Sequence, residues 1–282
     1  MKEYKSFYKS VGGNEGDVCL YSTRLDTYGC GCSNDCDFCY AKSLLSFRGL
    51  WNPSEPSVAD IEKIKRKINK LPKGMPAIRL GGMTDCFQPI EKKNKVTYET
   101  IKALNERGIN YLIVTKCDLV ASDEYLEILD KDLAHIQYTL TFTDDDLYKK
   151  VHIENAPLPS KRIKAIEKLE ANGFDVCIRL SPYIPEFINL DTLNNIKCDK
   201  MLVEFLRVNH WIRKWLGDKC DLSKYTRNFH GYDHLPFEVK KELIDQMGDA
   251  HTITVCDFDP DYLDYWKKEF NPNKNDCCNL RR

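Results

Sequence analysis

The sequence has no long apolar run, no low-complexity tract and no excess of charge of one sign. A membrane-spanning helix needs about 18 or more consecutive apolar residues, and no such run occurs, so we expect no membrane partner. With 42 Lys and Arg against 43 Asp and Glu, the net charge of -1 excludes a globally basic nucleic-acid coat. Residues 1–10 are polar and Lys-rich without an apolar segment, so we expect no secretory signal and a cytoplasmic location.

Cysteine, in contrast, is abundant, with 13 cysteines in 282 residues. In a chain expected to stay in a reducing compartment, metal binding or catalysis explains cysteine better than disulfides do. Because the count is odd, complete internal pairing is impossible.

Short apolar runs, rich in β-branched and aromatic residues, recur along the chain. They cover residues 77–80, 110–114, 136–140, 176–180, 201–205 and 252–255. They lack clean polar–apolar alternation, which is typical of strands buried on both faces of a parallel sheet.

Helical patterns lie between these runs. Ile61, Ile64 and Ile68 recur at helical spacing, and Ser57 with Asp60 predicts a capping box at the start of that helix. Repeated βα units of this kind predict a parallel α/β fold, either a doubly wound sheet or a barrel.

Glycines predict where further helices end. Gly108 and Gly173 each follow an apolar helical pattern, and residues 237–247 read as a late amphipathic helix. Because no long linker or internal repeat appears, we predict a single domain over the whole chain. Its core is expected at about 20–256, after an irregular N-terminal segment and before a C-terminal tail at about 257–282.

Four cysteines, Cys30, Cys32, Cys36 and Cys39, lie within ten residues. Zinc sites usually combine one close Cys-x-x-Cys pair with a second, distant pair. Here the last three cysteines form C-x3-C-x2-C, and three thiolates from one loop can hold three irons of a [4Fe–4S] cluster and leave the fourth iron open. A four-cysteine zinc knuckle and a set of buried free thiols are the alternatives.

This triplet, followed by an α/β pattern, resembles the signature of the radical S-adenosylmethionine (SAM) superfamily, and Phe38 before the third cysteine fits the same motif. The resemblance implies that Cys32, Cys36 and Cys39 bind a [4Fe–4S] cluster and that SAM chelates the open iron beside Phe38. It also implies reductive cleavage of SAM to methionine and a 5′-deoxyadenosyl radical, which abstracts a substrate hydrogen. A reducing partner such as flavodoxin or ferredoxin is then required.

Further segments resemble the spore photoproduct lyase-like branch, often called DNA repair photolyases. They are residues 28–41, 81–91 (GGMTDCFQPIE), 114–117 (VTKC) and 182–185 (PYIP). This resemblance implies a partial (β/α)6 barrel of the TIM type, in which active sites collect at the carboxyl ends of the strands.

The same resemblance implies residues that bind SAM. Gly81 and Gly82 correspond to the segment that receives the SAM amino group, and glycine lets the backbone approach a ligand closely. Met83 stands where a glutamate often follows elsewhere in the superfamily. Recognition of the amino group then falls to backbone carbonyls, Thr84 or Asp85.

Three more candidates lie on later strands. Lys116 corresponds to the family lysine that binds the SAM carboxylate, and Thr139 to a serine that contacts SAM; a solvated lysine and a buried strand threonine are the alternatives. Arg179, if it faces inward, could bind a carboxylate or phosphate through two hydrogen bonds. Glu204 and Arg207 are similar candidates, or else form a structural ion pair.

Cys86 and Tyr40 are the candidate catalytic residues. Cys86 lies beside the predicted SAM site, where a thiol could return a hydrogen atom to a product radical, although the lyase cysteine aligns nearer Met83. A packing thiol is the alternative. Tyr40, directly after the third cluster cysteine, corresponds to a lyase tyrosine.

The remaining cysteines divide into two groups. Cys256, Cys277 and Cys278 could form an auxiliary metal site with Cys30, or the tail could fold over the barrel mouth and bring one cysteine to the active site. Those without a spacing signal are expected to be core or surface thiols: Cys19, Cys117, Cys177, Cys198 and Cys220.

The predicted function is that of a radical SAM lyase or modifying enzyme, with a nucleic acid or nucleotide-derived pyrimidine as substrate. The substrate rests on family analogy, because Trp211 and Trp215 fit a core-facing stripe as well as a base-stacking platform. A peptide or small metabolite is the alternative substrate, and a non-catalytic metal-containing binding protein is the alternative class.

Overall fold

The computed structural model describes residues 4–9 and 19–281. The predicted polar segment at residues 1–10 therefore lies partly outside the described residues. The strands are β1 (Phe7–Lys9), β2 (Thr23–Leu25), β3 (Tyr28–Gly29), β4 (Ser57–Val58), β5 (Ile78–Leu80), β6 (Tyr111–Thr115), β7 (Ala134–Thr139), β8 (Asp175–Tyr183), β9 (Lys200–Phe205), β10 (Arg227–Phe229), β11 (Tyr232–His234) and β12 (Thr252–Val255).

The α-helices pack mainly outside this strand framework. They are α1 (Tyr40–Phe47), α2 (Ile61–Ile68), α3 (Glu91–Asn94), α4 (Val96–Arg107), α5 (Asp123–Leu126), α6 (Asp145–Val151), α7 (Pro159–Ala171), α8 (Leu190–Asn194), α9 (His210–Leu216), α10 (Phe237–Asp245) and α11 (Pro260–Tyr265).

Eight strands form one open sheet in the order β1-β2-β5-β6-β7-β8-β9-β12. Within this sheet β2, β5, β6, β7, β8, β9 and β12 run parallel, and β1 joins β2 as an antiparallel edge; β3 with β4, and β10 with β11, form separate antiparallel pairs. Spatial order follows chain order throughout, whereas a doubly wound sheet reverses its strand order at a switch point. The fold is therefore a partial TIM-type barrel, which confirms the predicted fold class.

The central strands are buried on both faces. Every residue of β7 is buried, while Ile64 and Ile68 of α2 and Ile101 and Leu104 of α4 close the outer face of the sheet. Burial on both sides explains why the apolar runs do not alternate with polar residues.

The predicted ends of the helices are correct at two positions and wrong at one. Gly108 caps α4 with φ +62°, and Gly173, with φ +80°, follows the end of α7. The predicted capping box is wrong, because Asp60 itself is the N-cap of α2 and accepts hydrogen bonds from two backbone N–H groups of the first turn. Ser57 belongs instead to β4.

The C-terminal tail closes the barrel at the amino ends of the strands. Tyr21 donates a 2.6 Å hydrogen bond to Asp276, and Lys200, which begins β9, donates to the carbonyl of Asn279 at 2.8 Å. The backbone N–H of Arg281 donates to Asp175, which begins β8. The expectation that the tail folds over the barrel mouth is therefore wrong, because these polar groups hold it at the opposite end.

Across residues 4–9 and 19–281, no helix is both long and apolar enough to cross a bilayer.

Candidate active site

A cavity opens at the carboxyl ends of the barrel strands. Nearly all of the predicted site residues contribute to its wall: Cys32, Cys36, Phe38, Cys39, Tyr40, Gly81, Gly82, Thr84, Asp85, Lys116, Thr139 and Arg179. The exception is Cys86. The fold thus brings together residues that lie as much as 147 positions apart, from Cys32 to Arg179, at the end where TIM-type barrels hold their active sites.

The cysteine triplet lies on a tight loop that leads into α1. The carbonyl of Cys32 accepts from the N–H of Asp35 at 3.0 Å, and that of Cys36 accepts from the N–H of Cys39 at 3.2 Å. Cys39 is the N-cap of α1, and its sulfur accepts from the N–H of Lys42 at 3.4 Å. A helix N-terminus favours the thiolate form of such a cysteine.

The three thiols fit an iron–sulfur cluster. Burial raises the pKa of Cys32 to about 12 and also raises the pKa values of Cys36 and Cys39, so ligation must displace thiol protons. Within the described part of the chain, no three His, Cys, Asp or Glu side chains converge on a single metal ion, as a zinc site requires. Three thiols around one cavity instead suit a cluster, in which each iron takes one thiolate.

Two neighbouring segments fix the position of the cysteine loop. The N–H of Asp37 donates to the carbonyl of Ile153 at 2.8 Å, and the N–H of Asn155 donates to the carbonyl of Asn34 at 2.7 Å. On the other side, the N–H of Ser33 donates to Oε1 of Gln88 at 3.0 Å. Hydrogen bonds from two other segments of the chain therefore hold the cysteine loop in place.

Asp85 anchors the site rather than presenting a free carboxylate. Its Oδ1 accepts from the N–H of Phe87 at 2.9 Å and from the hydroxyl of Thr115 at 2.7 Å. Its Oδ2 accepts from the N–H of Lys116 at 2.8 Å and from Asn34 at 3.2 Å. With four donors already in place, Asp85 joins the ends of β5 and β6 to the cysteine loop.

The glycine pair is held by Asp26, which sequence reasoning missed. Oδ1 of Asp26 accepts from the N–H of Gly82 at 2.7 Å and from that of Met83 at 3.1 Å. The hydroxyl of Tyr40 donates to the carbonyl of Gly82. Asp26 directly follows β2, so its place at a strand end was the signal that could have identified it. Thr84, the other predicted side chain here, donates its hydroxyl to the carbonyl of Tyr28 at 2.5 Å.

Crowding by neighbouring protein atoms explains both glycines. Gly81 has φ +84°, and a Cβ there would lie 2.5 Å from the carbonyl oxygen of Val114. A Cβ on Gly82 would lie 2.2 Å from the hydroxyl of Tyr8. A side chain at Gly81 would have to displace Val114, and one at Gly82 would have to displace Tyr8.

Lys116 belongs to a buried charged network. Its Nζ lies 3.0 Å from Oε2 of Glu154 without making a hydrogen bond of regular geometry, and 4.8 Å from the centre of the Phe38 ring. Glu154 also forms a buried ion pair with Arg162. This buried position excludes the alternative that Lys116 is a solvated surface lysine. Nothing in the sequence around Glu154 predicted that it would pair with Lys116 and Arg162.

Arg179 faces inward and is also ion-paired. It donates to Gln137 at 2.6 Å and to Glu204, and Arg207 lies 3.5 Å from the same carboxylate. Burial alone would raise the pKa of Glu204, but Arg179 and then Arg207 lower it to about 2. Glu204 and Arg207 therefore form the ion pair considered from sequence, and both also line the cavity. Thr139 ends β7 as a buried part of the same wall.

The structure separates three predicted groups from the cavity. Cys86 is fully buried and absent from the wall, because it packs into the core beneath it. Cys30 is absent from the apolar cluster that contains the tail cysteines, so the predicted four-cysteine auxiliary site does not form. Trp215 lies beneath the ammonium of Lys42, whereas Trp211 is 37% exposed.

Comparisons with known proteins agree with this architecture. The chain is 31% identical over 167 residues to an uncharacterized protein of Methanocaldococcus jannaschii, a match that covers 57% of this chain and 60% of the relative. The chain thus spans about 60% of the length of that curated relative.

Solved structures show the same fold at low identity. A variant of spore photoproduct lyase with bound AdoMet and dinucleoside spore photoproduct matches with a TM-score of 0.58 and 15% identity, over 89% of this chain and 75% of the lyase chain. Another variant of spore photoproduct lyase matches with a TM-score of 0.63 and 15% identity, over 86% of this chain and 76% of the lyase chain. SuiB of Streptococcus suis bound to S-adenosylmethionine matches with a TM-score of 0.52 and 15% identity, over 85% of this chain and 50% of the SuiB chain.

A family model described as the radical SAM superfamily matches residues 27–193, which is more than half of the chain. This range contains the cysteine triplet, the glycine pair, Lys116, Thr139 and Arg179. The chain therefore belongs to the radical SAM superfamily.

Proposed function

We propose that this protein is a radical SAM enzyme that abstracts a hydrogen atom from a nucleic acid or a nucleotide-derived pyrimidine. The observation that carries the proposal is that Cys32, Cys36 and Cys39 line the same cavity as the glycine pair and Lys116. This chemistry needs three things in one place: thiolates that hold the cluster, a backbone that SAM can approach closely, and a cation for the SAM carboxylate.

The cysteine triplet would hold a [4Fe–4S] cluster, which together with SAM supplies a 5′-deoxyadenosyl radical for hydrogen abstraction. The protein's own residues would bind SAM and orient it. The ammonium of Lys116 would bind the SAM carboxylate, because its pairing with Glu154 leaves N–H groups available. Gly81 and Gly82 give the wall a surface without side chains, and Asp26 fixes their backbone.

The remaining wall residues would complete the SAM site. Phe38 is held beneath Lys116 by its ring contact, and Thr139 presents a hydroxyl from the end of β7. Arg179 is held rigid by Gln137 and Glu204, so it can orient a polar group without first losing side-chain freedom.

Planar side chains at the mouth support a nucleobase substrate. The guanidinium of Arg207 lies 4.4 Å from the ring centre of Phe258 and 5.7 Å from those of Tyr40 and Tyr232. Aromatic rings and guanidinium groups are the surfaces on which bases stack. The similar fold of spore photoproduct lyase, whose structure contains a bound dinucleoside spore photoproduct, also supports a nucleobase substrate, although the likeness is one of fold only. The proposed electron donor is a flavodoxin or ferredoxin.

The proposal is tested by reconstituting the protein anaerobically with iron and sulfide, reducing it in the presence of SAM and measuring 5′-deoxyadenosine. Cys32→Ala is expected to abolish 5′-deoxyadenosine formation, whereas Cys30→Ala, outside the cavity wall, retains it. Zinc as the only bound metal, without SAM cleavage, would instead establish a non-catalytic binding protein.

The substrate class is tested separately with deuterium-labelled substrates. Ultraviolet-irradiated oligonucleotides, peptides and small metabolites are offered in turn, and deuterium in 5′-deoxyadenosine is measured. Transfer from the oligonucleotide supports the proposal. Transfer only from a peptide or a metabolite would overturn the substrate assignment and leave the enzyme class intact.

A further inference from the structure

Arg79 lies in the wall of the active-site cavity, and none of the roles described above uses it. Among the described residues, four cationic side chains line this cavity: Arg79, Lys116, Arg179 and Arg207. Lys116 pairs with Glu154, and the other two arginines pair with Glu204. Across residues 4–9 and 19–281, the side chain of Arg79 makes no hydrogen bond or salt bridge, and its Nε is buried without a partner.

The strand geometry of β5 points Arg79 into the barrel. Ala77 shares a small apolar cluster with Cys278 of the tail, and Arg79 follows Ala77 by two positions. The alternate residues, Ile78 and Leu80, belong instead to the main core. Because side chains alternate between the two faces of a strand, Arg79 points to the same side of the sheet as Ala77.

Two later strands repeat this order of an apolar residue and then a charged one. Cys177 on β8 and Leu202 on β9 belong to the same apolar cluster as Ala77. Two positions further along each strand stand Arg179 and Glu204, which both line the cavity. The apolar cluster therefore forms a floor, and a layer of charged side chains lies next to it on the side of the carboxyl ends.

One carboxylate serves three guanidinium groups at this depth. Oε2 of Glu204 accepts from Arg179 and from the hydroxyl of Ser181 at 2.9 Å, and Oε1 lies 3.5 Å from Arg207. Burial alone would raise the pKa of Glu204, but Arg179, then Arg207 and Arg79 lower it to about 2. Positive charge therefore exceeds negative charge in this layer, and Arg79 faces the cavity without a salt-bridge partner.

The second carboxylate of the cavity wall does not compensate Arg79 either. Asp85 already accepts four hydrogen bonds, from Asn34, Phe87, Thr115 and Lys116. A buried guanidinium donor that finds no acceptor is costly. An anionic group of a ligand in the cavity would supply that acceptor.

We propose that Arg79 binds a phosphate group of the substrate inside the cavity. A guanidinium can donate two parallel hydrogen bonds to a phosphate, which fixes its orientation as well as its position. This inference rests on the proposed function, because a nucleotide joins a base, suited to the rings around Arg207, to a phosphate in one molecule. A free pyrimidine base would leave Arg79 unpaired, so the site favours a nucleotide over a base.

The test compares two probes that differ in one charge. They are thymidylyl-(3′→5′)-thymidine and its methylphosphonate counterpart, in which a methyl group replaces the charged oxygen of the phosphate. Calorimetric titration measures the binding of each probe to the anaerobically reconstituted protein with SAM, without a reductant. The wild-type protein should bind the phosphodiester about 10- to 100-fold more tightly, as expected for a charge-assisted hydrogen bond. Arg79→Gln should bind both probes with the weaker affinity.

Arg107→Gln is the matched control. Arg107 on α4 also has a buried Nε without a partner, but it donates to the carbonyl of Leu71 and is not part of the cavity wall. This variant should keep the full preference for the phosphodiester. If Arg79→Gln is folded by circular dichroism and loses affinity for both probes equally, Arg79 has a structural role and the proposal is overturned.

A second variant covers the case in which Arg79→Gln does not fold. Arg79→Lys keeps the positive charge, but an ammonium cannot make the two parallel hydrogen bonds, so its preference should fall between those of the wild type and of no discrimination. A preference equal to that of the wild type would place the phosphate elsewhere. Equal binding of the two probes by the wild-type protein would overturn the proposal without any variant.

SAM distinguishes the other source of an anionic group. Arg79→Gln should leave the SAM affinity unchanged, because Lys116 is the proposed ligand of the SAM carboxylate. Weaker SAM binding with an unchanged preference between the probes would assign Arg79 to SAM and overturn the proposal.

Failure of this inference and failure of the proposed function give different results. If the wild-type protein binds both probes equally, the phosphate site fails and a nucleic-acid substrate stands. If it cleaves SAM but binds neither probe, the proposed substrate class fails together with the phosphate site.

Discussion

Nζ of Lys116 and Oε2 of Glu154 lie 3.0 Å apart, and the same carboxylate oxygen lies 3.6 Å from the sulfur of Cys36. Oε1 of Glu154 accepts from Thr141 at 2.6 Å and from Arg162. Burial alone would raise the pKa of Glu154, but Arg162 and then Lys116 lower it to about 2. The buried carboxylate of Glu154 thus links Lys116, which we propose binds the SAM carboxylate, to the cysteine loop.

Glu154→Gln should destabilise the protein strongly. The substitution leaves the buried Arg162 without its counter-ion, and breaking a buried pair costs about 3–5 kcal/mol. Urea unfolding measures the change. Glu99→Gln, which breaks a half-exposed pair with Lys65, is the control and should cost at most about 1 kcal/mol. Equal losses in the two variants would show that the network does not stabilise the fold.

Gly81→Ala should cost more than Gly49→Ala, although both glycines have positive φ. Gly49, with φ +63°, has open space around its Cβ position, so only backbone strain of roughly 1 kcal/mol is expected. At Gly81 the new methyl group also meets the carbonyl of Val114, and overpacking adds roughly 1–3 kcal/mol. Thermal unfolding and calorimetric titration of SAM compare the variants. Unimpaired SAM binding by Gly81→Ala would argue against the close backbone approach.

Asp175 should make stability depend on pH in the acid range. Burial alone would raise its pKa, but hydrogen bonds from His135 and Lys200 lower it from 3.8 to about 2. Its contribution is therefore fully present above pH 3.8 and is lost as the pH falls through about 2. Asp175→Asn should cost roughly 2 kcal/mol at neutral pH and almost nothing at the acid end of this range.

Chemical unfolding at several pH values tests this prediction for Asp175. Asp123→Asn is the control: the hydrogen bond from Lys168 lowers the pKa of Asp123 as well, but solvent screens this exposed pair, so the pH profile should change far less than in Asp175→Asn. A wild-type profile that does not fall through the acid range would contradict the assignment.

Cys86→Ala should leave SAM cleavage and substrate turnover intact. Cys86 has no access to the cavity, so the substitution removes only core packing, at about 1 kcal/mol. Tyr40→Phe is the comparison, because it removes the hydrogen bond to Gly82 in the cavity wall and should slow turnover. The assay is 5′-deoxyadenosine formation together with product analysis. If Cys86→Ala cleaved SAM but released no product, the hydrogen-donor role would be restored.

Local patterns predicted the parts of the fold and site that depend on local chemistry. The strands β6 to β9 follow from apolar runs, and the cysteine loop and Gly81 follow from motifs whose function needs fixed spacing. By contrast, β2 is only Thr23–Leu25, and its identity comes from pairing with β5 rather than from its own composition. Short strands of this kind are defined by tertiary contacts.

Local sequence patterns could not predict which distant segments of the chain meet in the fold. Glu154 lies in a loop after α6 with no motif around it, and its position depends on Arg162 and Lys116 from other elements. Cys19 and Cys177 carry no spacing signal, and only the path of the tail brings them together with Cys278. Nothing in the neighbouring sequence of such residues encodes their eventual partners.

The hydrogen bond between Tyr21 and Asp276 joins residues 255 positions apart. The strands up to β9 all precede Asp276 in the sequence, so they can pair with one another before the tail reaches the amino ends of the barrel. Contacts with such large sequence separation form slowly, because the loop entropy must be lost before they contribute. Closure of this end of the barrel is therefore expected to be a late step in folding.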